Sequence, residues 1–183
     1  KPDFAEAHSN LGNILHDLGK LEAAELSQRK AIEINPNYAE AYYNLGNILR
    51  DQDKSKEAEL SLRKAIEIKP DYAEAYYNLG IMFIDLLKYN DAIKNLKEAI
   101  KINKEFSIAK LELIVAKGTI CDWSDQEIQI IWLKNLGIKG SFVPPFGLLH
   151  YEDNPLKHLK RSQNLYQQKY HQPEYSIPLS NNE

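Results

Sequence analysis

A period of 34 residues constrains this chain more than any other feature. Ala-Glu-Ala stands at 5–7, 39–41 and 73–75, Asn-Leu-Gly at 10–12, 44–46 and 78–80, and proline at 2, 36 and 70. Aligned without gaps, 5–38 and 39–72 agree at 23 of 34 positions, and 39–72 and 73–106 at 15 of 34. Self-similarity at this period marks a stack of short supersecondary units, each burying its apolar face against its neighbours.

Within a unit the apolar spacing is helical. Tyr42, Leu45, Ile48 and Leu49 recur at i, i+3, i+6 and i+7, and after a polar break at 51–56 the run Ala58, Leu62, Ala65 and Ile66 follows. Each unit therefore reads as two helices. Pro36 and Pro70 are expected to end the second helix, because proline lacks the N–H of a helix interior and pushes the residue before it toward extended geometry. Gly12, Gly46 and Gly80, with Ala24, Ala58 and Ala92, fall where the two helices approach most closely.

The pattern of an aromatic residue, Leu-Gly, a large apolar residue, two alanines and a terminal proline resembles the tetratricopeptide repeat family. The second unit supplies Tyr42, Leu45, Gly46, Leu49, Ala58, Leu62, Ala65 and Pro70, and the third Tyr76, Leu79, Gly80, Phe83, Tyr89, Ala92, Leu96 and Ala99. His8 in the aromatic slot, Gln28 where an apolar residue is usual and Lys104 in place of proline depart from it without shifting the register. The resemblance implies an all-α fold, a right-handed superhelix (an alpha-alpha solenoid) with a helical connector at its C-terminal end. The expected divisions are 1–4 as the tail of an upstream repeat, repeats at 5–38, 39–72 and 73–106, a half-repeat helix at 107–120, a connector at 121–170 and a linker at 171–183.

Both ends carry expectations. Lys1-Pro2-Asp3-Phe4 matches the unit tail Lys69-Pro70-Asp71-Tyr72, so further repeats are expected upstream, and the apolar stripe of the first helix is open to pairing with another molecule, a homo-oligomer through solenoid ends included. After 120, Ser124 and Glu127 have capping-box spacing. A helix bearing Ile128, Ile131, Trp132 and Leu136 is expected there, then a proline-containing loop at 140–152 and a last amphipathic helix opened by Asn154-Pro155. The order of half-repeat, Cys121-Asp122-Trp123 with Asp125, amphipathic helix, proline-rich stretch and basic helix resembles the junction of O-GlcNAc transferases and SPINDLY-like glycosyltransferases. That resemblance implies transferase lobes downstream. No nucleotide-binding glycine loop such as GxGxxG or GxxxxGK is present, so the residues given are expected to bind rather than catalyse, with no catalytic residues and no cofactor. A free-standing adaptor for protein assembly is the alternative.

The inner face of such a solenoid is lined by the first helix of each unit. Asn10, Asn44 and Asn78 recur at the sixth position, one turn from Glu6, Glu40 and Glu74 at the second, with Asn13 and Asn47 beside them. An amide offers a donor and an acceptor, which suits holding an extended peptide independently of its side chains. In O-GlcNAc transferases a similar asparagine ladder holds the acceptor polypeptide and nearby acids bias its side chains, and the resemblance extends those roles only to Asn10, Asn44, Asn78, Glu6, Glu40 and Glu74. The competing reading is that these asparagines bridge adjacent helices. Asp17, Asp51 and Asp85 form a further row, read as serving the turn or water; Tyr43 and Tyr77 are expected chiefly to pack on the next unit. The glutamate row argues against a basic clamp for an acidic C-terminus. Ile108 and Glu112 replace glutamate and asparagine in the half-repeat, so the groove is expected to change character there.

Composition narrows the partners. A net charge of −3 and pI near 6.0 give no electrostatic reason for a nucleic-acid or anionic-membrane partner. A mean hydropathy of −0.51 with no long apolar run gives no membrane span. The lone Cys121 allows no internal disulfide and fits a reducing, cytoplasmic setting, and five histidines without HxxxH or HExxH spacing offer no metal site.

Overall fold

The computed structural model describes residues 3–122 together with Ser124, Leu156, Lys160, Ser162 and Gln163. It divides into two compact units, 1–122 and 123–183. Of the second, the four residues described between 156 and 163 are helical, and the rest of the expected connector and linker lies outside the described residues.

The first unit is all α-helical: α1 (Asp3–Asp17), α2 (Leu21–Ile34), α3 (Ala39–Asp51), α4 (Ser55–Ile68), α5 (Ala73–Asp85), α6 (Tyr89–Ile102) and α7 (Ser107–Thr119). Among the described residues there is no strand. Helices α1/α2, α3/α4 and α5/α6 pair as hairpins, α2 packs on α3, α4 on α5 and α6 on α7, and the first helices α1, α3, α5 and α7 also touch in succession. No described helix is long and apolar enough to cross a membrane.

The polar break within each unit is shorter than the residue pattern suggests, three residues between α3 and α4, because it is a tight left-handed turn. Its closing hydrogen bond repeats in every unit: Lys20 N–H reaches Leu15 C=O, Lys54 reaches Leu49, Lys88 reaches Phe83 and Asp122 reaches Lys117, at 2.9, 2.9, 2.8 and 2.9 Å. The residue before each of these donors has positive φ: Gly19 (70°), Asp53 (60°), Leu87 (58°) and Cys121 (54°). This is the backbone closure of a Schellman-type helix end, in which a carbonyl of the last turn is satisfied from beyond it. Cys121 and Asp122 thus belong to a fourth copy of the turn, and repeat geometry runs to Asp122.

The second helices end at Ile34, Ile68 and Ile102, the same place in each unit, although the third lacks proline. In the third unit an asparagine side chain replaces the proline's effect: Asn103 Oδ1 accepts the Glu105 N–H at 3.0 Å, as Asn35 Oδ1 accepts Asn37 N–H at 3.2 Å. Such side-chain turns offer the backbone an alternative to further helix.

The core is a ladder of repeated contacts. Leu45, Leu49, Ala58, Leu62, Leu79, Met82, Phe83 and Ala92 form one buried cluster across α3 to α6. Glycine is required where the helices of a hairpin cross: a Cβ on Gly46 would lie 2.7 Å from Leu62 Cγ, and one on Gly80 2.8 Å from Leu96 Cγ. In the first unit the glycine faces Gln28, which is fully buried and donates from Nε2 to Ser9 C=O and Asn13 Oδ1, both at 2.9 Å, while its Oε1 has no partner. At the other end Lys117, also fully buried, occupies the slot of Leu49 and Phe83 and pairs with Asp122 at 3.2 Å.

Candidate peptide-binding groove

The groove is built from the contact between successive first helices, and its register follows from the repeat. A residue in one first helix meets the residue 35 further on, one period plus one position. Asn44 Nδ2 donates to Ser9 Oγ at 3.3 Å and Asn78 Nδ2 to Tyr43 Oη at 3.1 Å. Asn78 Nδ2 also donates to Asn47 Oδ1 at 2.6 Å. Further along, His16 Nε2 and Asp51 Oδ2 lie 2.7 Å apart across α1 and α3, and Arg50 approaches Asp51 at 3.5 Å.

The sequence-selected residues consequently separate into two sets. Asn44, Asn47 and Asn78 hold neighbouring first helices together, with Asn78 buried and the other two half-buried, and half-buried Asn13 accepts from Gln28. Asn10, Glu6, Glu40 and Glu74 are exposed. Asn44 and Asn78 donate to the preceding first helix, while no described helix stands 35 residues before Asn10 to meet its amide. The glutamates stay open to a ligand throughout.

The aromatic residues are packing elements. The Tyr43 ring lies 5.0 Å from that of Tyr72 and Tyr77 5.1 Å from Phe106, tilted pairs that pack each first-helix ring on the tail of its own unit. Burial pushes the Tyr77 phenol up to about 12, with the Glu112 carboxylate adding to the effect, so its hydroxyl stays protonated at any physiological pH. Burial, with the neighbouring Tyr43 and Glu40 next, raises Tyr72 further still. Where an asparagine would continue the row, Glu112 is half-buried; burial first and the charge of Asp85 second raise its carboxyl above the usual range. Tyr38, at the mouth between Glu6 and Glu40, is raised by burial and then by those two carboxylates.

The residue pattern named the rows but not their bonding. Ser9, the Tyr43 hydroxyl and the His16–Asp51 pair were missed. The signal that finds them is the offset of 35: pairing each polar residue of one first helix with the polar residue 35 later brings up Ser9–Asn44, Tyr43–Asn78 and His16–Asp51. Among the described residues no group of three or more His, Cys, Asp or Glu side chains could hold a metal ion. Trp123, Trp132, His150, His158, His171 and the basic residues Lys157 and Arg161 lie outside the described residues.

Helical hairpins stacked at a constant period around a groove of first helices define the class of protein. Family models confirm it: one described as TPR repeat matches residues 12–53 and 46–86, and one described as Tetratricopeptide repeat matches 73–106, together more than half of the chain. The chain belongs to the tetratricopeptide repeat family. Among solved structures it is similar to MamA, with 26% identity and a TM-score of 0.65 over 74% of this chain and 78% of that one. It is also similar to the first TPR of Spaghetti (RPAP3) bound to the HSP90 peptide SRMEEVD, with 20% identity and a TM-score of 0.64 over 66% of this chain and 96% of that one. No curated protein matches.

Proposed function

We propose that the face of α1, α3, α5 and α7 is a binding groove for an extended segment of another protein. The observation that supports it best is the continuous line of exposed Glu6, Glu40 and Glu74 beside Asn10, set on first helices tied rigidly to one another by the Asn44 and Asn78 bonds. Pre-organised helices lower the cost of holding an extended chain, and repeated weak polar contacts suit recognition of many sequences. The carboxylates favour a neutral or basic segment. The RPAP3 repeat shares the fold and its structure holds a peptide; that peptide is acidic, and the acidic rim here favours a different charge.

The test is binding of a positional-scanning library of extended peptides to the chain and to a Glu40→Lys, Glu74→Lys variant, whose substitutions are exposed and leave the helix contacts intact. Selection for basic residues that reverses in the variant supports the groove. Unchanged selection would sink it, and Asn44→Ala with Asn78→Ala separates the amides' part, provided thermal unfolding shows the array still folded.

The finer reading is that these repeats are the substrate-recognition arm of a nucleotide-sugar-dependent protein glycosyltransferase, and it rests on the junction resemblance across 107–170. A reading frame continuing past Glu183 into alternating strands and helices, whose product transfers sugar from a UDP or GDP donor, supports it. A frame without such lobes leaves a free-standing adaptor. Cytoplasmic residence follows the lone thiol.

A further inference from the structure

The groove changes chemistry along its length, and the ninth position of the first helices shows where. The second, ninth and thirteenth positions are seven and four residues apart, close to whole turns at about 3.6 residues each, so they form three parallel rows on one face of α1, α3, α5 and α7. The middle row runs Asn13, Asn47, Ile81, Val115. Two amides give way to two aliphatic side chains, and all four are half-buried. The flanking rows change one unit later: exposed Glu6, Glu40 and Glu74 are followed by half-buried Ile108, and exposed Asp17, Asp51 and Asp85 by Thr119.

Ile81 is not left open by the limits of the array. It stands on α5, which touches α3 on one side and α7 on the other, so the part of it that solvent reaches is groove floor. One period on, Val115 takes the same place on the adjacent α7. The amides at this position are held by their neighbours, Asn13 Oδ1 accepting from Gln28 at 2.9 Å and Asn47 Oδ1 from Asn78 at 2.6 Å; Ile81 and Val115 can make no such bond. Charge falls away at the same end. Asp51 is engaged by His16 and Arg50, but the other five acids of the flanking rows enter no ion pair among the described residues. On α7 the only acid is Glu112, half-buried, its carboxyl raised by burial first and by the charge of Asp85 second. One end of the groove therefore sets open carboxylates around a polar floor, and the other an aliphatic floor with no acid on its rims.

We infer that the groove takes a two-part segment of another protein, basic where it crosses α1 and α3 and aliphatic where it crosses α5 and α7, with the aliphatic side chains seated on Ile81 and Val115. A two-part ligand presupposes the peptide groove proposed above. Unpaired carboxylates at one end select lysine or arginine, and the exposed flanks of Ile81 and Val115 gain by being covered with an apolar side chain. The chain's own residues 171–183 do not suit, since they hold two glutamates and no lysine or arginine. With neighbouring helices about 9 Å apart and an extended chain advancing about 3.3 Å per residue, roughly three ligand residues pass each first helix and about ten span the four.

The test is fluorescence anisotropy of the whole 183-residue chain with three fluorescein-labelled peptides of that length: lysines then valines, valines then lysines, and lysines then serines. Both block orders are needed because the groove sets the direction of the bound chain. The better lysine–valine peptide should bind roughly tenfold or more tighter than the lysine–serine one, the gain expected from seating one valine. Ile81→Asn with Val115→Thr, which carries the amide of α1 and α3 into α5, should erase that gain and leave lysine–serine binding unchanged, and the unchanged binding shows that the variant is folded. Val115→Thr alone keeps the side chain's shape and should already reduce the gain, which serves if the double variant unfolds. Glu40→Lys with Glu74→Lys should weaken all three peptides. Lysine–serine binding that depends on Glu40 and Glu74 but gains nothing from valine, or a valine gain that survives Ile81→Asn with Val115→Thr, overturns the two-part ligand and leaves the groove standing. Failure of all three peptides to bind overturns both.

Discussion

The first and second units share 23 of 34 residues and the same two-helix outline, yet they sit differently in the molecule. Ile14 is 58% exposed where Ile48 is 1%, and Gln28 is buried with an unpartnered oxygen where Leu62 fills the same slot against a glycine. Nearly identical residues thus carry different energies, because in a stacked array a unit's stability is partly its own and partly its neighbours'. Among the described residues the second unit is packed on both sides and the first on one.

The comparison is broken most visibly by truncating the paired isoleucines. Ile48→Ala should cost about 3 kcal/mol, the usual range for emptying a well-packed core site, whereas Ile14→Ala should stay within about 0.5 kcal/mol. Urea midpoints of the two variants at constant m-value measure the gap. Equal losses would mean that the α1 stripe is already covered in the free protein.

Exchanging the residues at the glycine crossing sharpens the contrast. Leu62→Gln buries an amide beside Gly46 where the second unit has apolar neighbours, and the lost transfer energy and unsatisfied groups should cost about 3 kcal/mol. Gln28→Leu should move the first unit the other way, by about 1 kcal/mol, since it removes the orphaned Oε1 while half-buried Asn13 can turn to water. A Gln28→Leu protein less stable than the parent would show that the bonds to Ser9 and Asn13 outweigh apolar packing.

A smaller effect distinguishes the turns. Leu87 and Asp53 occupy the same left-handed position at φ 58° and 60°, but aspartate tolerates that region better than a branched apolar residue. Leu87→Gly should stabilise by about 0.5–1 kcal/mol, glycine's flexibility in the unfolded chain offsetting part of the relieved strain, and Asp53→Gly by less. Thermal midpoints rank the pair.

The fold was largely legible in the residues because the repeat supplies its own control: a position apolar in three units marks the packing face, and the seven helices of the described first unit fall where the spacing puts them. The unit ends were less legible. Proline explained α2 and α4, but α6 ends equally well through Asn103, a side-chain turn that a search for proline overlooks. The left-handed turn escaped notice because its four residues, Gly19, Asp53, Leu87 and Cys121, share a backbone angle and no side-chain chemistry. In the groove the rows were visible and their use was not. Whether an asparagine faces solvent or bridges helices depends on the residue 35 positions before it, and serine, tyrosine and tyrosine precede Asn44, Asn78 and Glu112 in that register.

That register also sets apart the far end of the groove, where Glu112 replaces the amide. Asn78 bonds Tyr43 and Asn47, but one unit on the ninth position is Ile81, so the carboxylate meets burial and the charge of Asp85. Its folded pKa is raised above its unfolded value, so the protonated form is favoured by folding. The contribution of Glu112 to stability is therefore fully present below the ordinary glutamate range and is lost as pH rises through the raised folded value. Glu112→Gln should keep the protonated form's shape at every pH. The difference in urea midpoint between variant and parent should be near zero at pH 4 and favour the variant at pH 7, and taking the difference removes the opposite titration of carboxylates such as Glu25, which Lys54 holds below the usual range. A difference that stays flat from pH 4 to pH 7 would mean that water reaches Glu112 as freely as it does the exposed glutamates of the second position, and that the groove keeps one character along its length.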